Sequence, residues 1–259
     1  MDAQREQFTM KYYWFGCSHT QGAELEDITQ RYSTQVSTAK GAEEINMARQ
    51  GASNSEIALS VLSTVPSNVK HMVQQQDHVF VQWTYPTRDW SIVDTTYRWR
   101  KNNDKYADTK IKHIDSTDFK RVPWWGGHPG YDECPPNMIE LAKAVNVVNS
   151  FPKMIYRWLH EYYLVNLYLQ TNHIPNTQWF GHGKWDQAQF EGWSITPGEH
   201  TFEFAKHAGW QHFLNNDNFI YKDSAFVEQC ILQDFEPTAG GHFLADAQAY
   251  WTNELISRV

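Results

Sequence analysis

The chain predicts an α/β fold in which a parallel sheet is covered by helices on both faces. Strand-like runs alternate with segments of helical periodicity along its 259 residues, the pattern of strands joined by crossover helices. The run His-Val-Phe-Val-Gln-Trp-Thr at 78–84 is apolar, aromatic and continuous, as a strand buried on both faces requires. The aromatic run Tyr12-Tyr13-Trp14-Phe15 stops abruptly in Gly16-Cys17-Ser18-His19-Thr20. A parallel strand that ends at a serine places the hydroxyl at the carboxyl edge of its sheet, where α/β proteins build their sites.

The remaining elements follow in order. Strands are expected at Lys11–Gly16, Glu44–Met47, His78–Thr84 and Thr177–Gly181, with a short fifth near Phe226–Leu232. A helix over Ser53–Val65 carries Ile57, Leu59, Val61 and Leu62, with Ser53 or Asn54 as its cap and Pro66 beyond its end. Met138, Leu141, Ala142, Val145 and Val148 recur at helical spacing over Asn137–Asn149. Ser150 then precedes Pro152 as a helix start does, and Ile155, Leu159, Tyr162 and Tyr163 continue an apolar face to about Gln170. Gly241–Ser257 is the last helix. Tyr85–Pro136 fits the alternation poorly and reads as an insertion over the active edge of a single domain.

Composition narrows the class. Hydrophobic residues make up 41% of the chain and charged residues 20%, enough apolar surface for a core and too little charge for disorder. A net charge of −8 offers no basic excess to displace counterions from nucleic acid. The lysines and arginines between Lys101 and Arg121 are interleaved with Asp104, Asp108, Asp115 and Asp118, a solvated face. Cys17, Cys134 and Cys230 are odd in number and far apart, so they form neither a disulfide framework nor a Cys-x-x-Cys pair. Residues 1–7 are polar and lack the apolar stretch of a signal peptide. Arg157, His160 and Glu161 break the most apolar later run. The expectation is a cytoplasmic protein with no membrane or nucleic-acid partner and no cofactor; oligomeric state is left open.

Ser18 is the candidate nucleophile, its plain alternative being an N-cap that closes a strand-to-helix turn. Three segments add to this reading. Gly16-Cys17-Ser18-His19-Thr20 resembles the first block of the SGNH (GDSL-like) hydrolases, in the variety common in phage and environmental sequences. Asn46 to Asn54, Asn-Met-Ala-Arg-Gln-Gly-Ala-Ser-Asn, resembles the second block. Asp234 to His242, Asp-Phe-Glu-Pro-Thr-Ala-Gly-Gly-His, resembles the last. The blocks occur in the family's order from residue 12 to about 250. The resemblance implies a three-layer α/β/α fold with a flavodoxin-like parallel sheet of about five strands. It also implies a serine ester hydrolase acting on a small acyl or acetyl ester, carbohydrate esters included.

Carried over residue by residue, the resemblance makes Ser18 the nucleophile and Asp234 the residue that orients the base. Gly51 and the Ser18 N–H become oxyanion donors. Two positions depart from the pattern. Glu236 stands where the family has its catalytic histidine, and Gln82-Trp83-Thr84-Tyr85 stands where it has Gly-x-Asn-Asp. Thr84 or Gln82 is therefore the nearest third oxyanion donor. For the base, three explanations stay open: Glu236 disables the enzyme, His242 or His19 reaches Ser18 instead, or a carboxylate serves as base. Asp234, Glu236, His242 and His19 match no tight metal signature, and no metal is assigned. Arg88 could clamp a substrate anion or pair with Asp89. Trp83 and His19 are further substrate-binding candidates, and Trp90, Trp99, Trp124 and Trp125 concentrate around the insertion. The run Pro123–Tyr131 reads as loop. The competing reading is a binding or virion-associated protein that keeps the fold without the base.

Overall fold

Four parallel strands form the central sheet of the computed structural model: β1 (Lys11–Phe15), β2 (Glu43–Asn46), β3 (His78–Trp83) and, after an excursion, β7 (Asn176–Phe180). The structure describes residues 10–72, 77–84, 88–94, 119–125, 128–129, 151–181, 212–221, 224–239 and 241–259. The chain divides into two compact units, one of residues 1–85 with 155–259 and one of Pro86–Met154. In the first unit the strand order is β2-β1-β3-β7, all parallel. Tyr13 stands between Ile45 and Val79, and Trp83 pairs with Phe180. Beyond β7, single parallel bridges join Gln178 to Phe219 and Phe180 to Ala225. This is the order of a flavodoxin-like sheet, with its fifth position held by two bridges instead of a full strand.

The helices are α1 (Ser18–Gln21), α2 (Tyr32–Ala39), α3 (Asn54–Met72), α4 (Phe151–Thr171), α5 (Phe226–Leu232) and α6 (Ala245–Ile256). Side chains alternate across each strand, so Tyr12, Trp14, Phe80 and Trp179 share one face. There they pack with Tyr32 and Val36 of α2, Phe226 and Cys230 of α5, and Ala247, Trp251 and Leu255 of α6. Trp14 and Phe80 stack with centroids 3.8 Å apart and planes 5° apart. The opposite face carries Trp83 and Phe180, which meet Trp158 and Tyr162 of α4. A hydrogen bond from Ser55 Oγ to Glu161 ties α3 to α4. The second unit holds a three-stranded antiparallel sheet of β4 (Arg88–Asp94), β5 (Phe119–Trp125) and β6 (His128–Pro129).

Several expectations are corrected. Phe226–Leu232 is a helix, because Phe226 and Cys230 lie one turn apart on a buried face and Glu228 accepts from the Ala225 N–H at 3.1 Å. The strand-like pairing sits just upstream, at Phe219 and Ala225. Helix α3 runs through Pro66 to Met72 without the bond that a Pro66 N–H would make. The last helix starts at Ala245, so His242 lies in the loop before it. Tyr163 of α4 is exposed. Pro123–Trp125 and His128–Pro129 are strand residues, not loop. The helix expected at 137–149 lies outside the described residues.

Candidate active site

Ser18 is delivered by a sharp strand-to-helix turn. Cys17 is extended (φ −100°, ψ −155°), and Ser18 opens the single turn of α1. The turn closes on Gly22 (φ +82°), whose N–H donates to Ser18 O at 3.0 Å and His19 O at 3.2 Å. Such a left-handed close favours glycine. Gly16 is required for a different reason: a Cβ there would fall 2.2 Å from Thr20 Oγ1. Ser18 itself is nearly buried at 4% exposure.

The parallel register brings the next two candidates to the same edge. Gly51 follows β2 in a left-handed conformation (φ +73°), and its loop is held to the nucleophile turn by Arg49 N–H donating to Gly16 O at 3.1 Å. Thr84 follows β3 directly. The Asn54 side chain at the start of α3 clamps the Thr84 backbone, accepting from its N–H at 2.8 Å and donating to its carbonyl at 3.1 Å. The Thr84 N–H is thereby occupied, while its buried Oγ1 has no hydrogen-bond partner among the described residues. Gln82 is fully buried with its Oε1 taken by Thr20 Oγ1 and Cys17 Sγ, so its carbonyl end holds the turn.

The loop before α6 adds a histidine. The His242 ring meets the His19 ring with centroids 5.2 Å apart at 64°, and Phe226 and Phe243 enclose His19. His242 Nδ1 lies 3.2 Å from Glu24 Oε2, an ion-pair distance. Thr238 Oγ1 donates to the same carboxylate. That bond, with His242 beside it, holds the Glu24 carboxyl below its ordinary range. Glu24 sits at φ +66° in a polar loop that carries no recognisable motif, which is why sequence reasoning missed it. An acidic residue soon after the nucleophile block was the only available signal.

Asp234 (φ +59°) and Glu236 are exposed, and neither side chain makes a hydrogen bond or ion pair among the described residues. Trp83 is wholly buried: its Nε1 donates to Gln178 Oε1 at 3.0 Å and its ring packs on Trp158 and Tyr162. His19, at 1% exposure, is likewise enclosed, so neither ring presents a face to a substrate. Arg88 opens β4, paired with Trp125; its side chain and those of Trp90, Trp99, Trp124 and Trp125 lie outside the described residues. Among the described residues no three His, Cys, Asp or Glu side chains group as metal ligands, and no helix is long and apolar enough to cross a membrane.

No protein-family model and no curated protein matches the chain. The solved structures it is similar to include three esterase, lipase or lipolytic-family chains. An acetyl xylan esterase, AlAXEase, is 14% identical, with 96% of this chain and 100% of that chain covered and a TM-score of 0.46. A member of the lipolytic protein G-D-S-L family from Veillonella parvula is 11% identical, with coverage of 97% and 100% and a TM-score of 0.44. The lipase Lip_vut3 from a goat rumen metagenome is 12% identical, with coverage of 96% and 97% and a TM-score of 0.46.

Proposed function

We propose that the chain is an SGNH-type serine ester hydrolase in which His242, held by Glu24, replaces the base absent from position 236. One observation carries this reading: the His242 imidazole lies against the nucleophile turn with a carboxylate at its Nδ1. A serine hydroxyl is inert at neutral pH without a proton acceptor. A histidine acts as that acceptor when one ring nitrogen is fixed by a carboxylate and the other faces the serine. Glu24 on Nδ1 leaves Nε2 for Ser18.

In this scheme Ser18 Oγ attacks the ester carbonyl as His242 takes its proton. The Ser18 and Gly51 N–H groups, with the Thr84 hydroxyl as third donor, stabilise charge that develops only in the transition state. Protonated His242 gives its proton to the leaving alcohol, and water then releases the acyl group by the reverse sequence. Glu24 stabilises the imidazolium meanwhile. A small acyl or acetyl ester, carried on a carbohydrate or other alcohol, is the substrate class. Short p-nitrophenyl esters test the reading: Ser18→Ala should abolish turnover, and His242→Ala should lower kcat by at least ~100-fold, the scale of general-base assistance.

A second reading, a binding protein on the same fold, is favoured by the carboxylates of Asp234 and Glu236, which are exposed and unpaired among the described residues. Absence of both ester turnover and covalent labelling of Ser18 would select it.

A further inference from the structure

Four buried polar residues that this chemistry does not use are linked by hydrogen bonds, Tyr32 through its hydroxyl on one side and its backbone N–H on the other. Gln82 Oε1 accepts from Thr20 Oγ1 at 2.8 Å and from Cys17 Sγ at 3.3 Å, so it holds a residue on each side of Ser18. Thr20 Oγ1 lies 2.6 Å from the Tyr32 hydroxyl. At the start of α2, the Tyr32 N–H donates to Gln248 Oε1 at 3.0 Å. Gln248 Nε2 donates to Phe243 O at 3.2 Å, the carbonyl next to His242. Gln82, Thr20, Tyr32 and Gln248 are each at most 1% exposed.

Donor accounting sets the direction of these bonds. The Thr20 hydroxyl has one proton, which goes to Gln82, so Thr20 must accept from the Tyr32 O–H. Gln82 is itself immobilised. A Cβ on Gly16 would stand 3.0 Å from Gln82 Cβ, and one on Gly181 would stand 2.8 Å from Gln82 Cδ. The anchor therefore sits wedged between two glycines that follow β1 and β7, the strands on either side of β3. Buried polar groups are expensive when one partner is lost, and a nearly satisfied network is rigid. This one joins the two segments whose mutual placement the chemistry depends on, although they lie at opposite ends of the chain.

We propose that Thr20, Tyr32 and Gln248, anchored on Gln82, are positioning residues that keep the His242 loop in register with Ser18. The inference rests on the hydrolase reading above for its kinetic consequence, though not for its structural one. A displacement of about 1 Å between reacting groups can cost on the order of 100-fold in rate.

The test uses the full chain with Thr20→Val, Thr20→Ser, Tyr32→Phe, Gln248→Met and the double variant Thr20→Val/Gln248→Met. On a short p-nitrophenyl ester, Thr20→Val and Gln248→Met should each lower kcat by about 10- to 100-fold while KM stays within ~3-fold. Thr20→Ser, which keeps the hydroxyl, should stay near wild type. The double variant should be little worse than the poorer single one, as expected of residues acting as a unit. Losses that multiply, or that fall mainly on KM, would overturn the proposal. If the wild type turns over no ester and takes no fluorophosphonate, the hydrolase reading fails separately, and the positioning claim rests on NMR. Gln248→Met should then still shift the amide signals of Cys17 and Thr20, which it reaches through Tyr32; unmoved signals would refute it. Should Thr20→Val not fold, Tyr32→Phe removes a single oxygen and carries the same kinetic comparison.

Discussion

Glu24 is the residue on which the choice of base turns. Its carboxyl lies below the ordinary range because the Thr238 hydroxyl and His242 favour the charged form, so it is ionised at neutral pH. The contact is lost only as the pH falls through that lowered value, below 4.5. Glu24→Gln should reduce kcat on a short ester by about 10- to 100-fold with little change in KM, since the loss falls on imidazolium stabilisation. Position 236 predicts the reverse. Its side chain is exposed and unpaired among the described residues, so Glu236→His should leave the rate within ~3-fold. A rise of ~100-fold would return the base to position 236. Ser18 and Gly51 could be proposed from sequence because each lies in a short block resembling a family motif. Glu24 and His242 were not legible as a pair: they meet only through the fold, and no local pattern joins an acidic loop to a residue near the other terminus.

At the scale of elements, the contact between α3 and α4 holds a pH-dependent term. Burial pushes the Glu161 carboxyl from 4.5 to about 7, with the Ser55 hydroxyl and Arg157 acting against the rise. The folded state therefore binds this proton more tightly than the unfolded state. The corresponding stability is complete below pH 4.5 and is lost as the pH rises to about 7. Glu161→Gln, which keeps a group for Ser55 to bond, should flatten that dependence. Urea unfolding at pH 8 should find it more stable than wild type by about 1–2 kcal/mol, with little difference at pH 4. The sheet offers a second check. Gly181→Ala would drive a Cβ to 2.8 Å from Gln82 Cδ, and overpacking of this kind costs about 1–3 kcal/mol. A thermal melt should show the loss. Strands β1, β3 and β7 were readable because aromatic and β-branched runs suit a doubly buried strand. Helix α2 was not, since Tyr32, Val36 and Ala39 are its only apolar residues. The α5 segment Phe-Val-Glu-Gln-Cys-Ile-Leu is as apolar as a strand, and only its buried spacing and the Glu228 reach-back distinguish it.

For the whole molecule, parallel pairing gathers distant sequence blocks at one place. Each of β1, β2 and β3 ends at the same edge, so Ser18, Gly51 and Thr84 assemble there through strand order alone. The loop before α6 reaches that edge through the His242–His19 contact. The central claim is that Ser18 is activated by His242 and not by position 236. Covalent labelling of Ser18 by a fluorophosphonate tests it most directly, because uptake reports an activated serine without knowledge of the substrate. Wild type and Glu236→Ala should label at similar rates, and His242→Ala should label at least ~100-fold more slowly. Labelling that survives His242→Ala but is lost in Glu236→Ala, or no labelling of the wild type, would contradict the account.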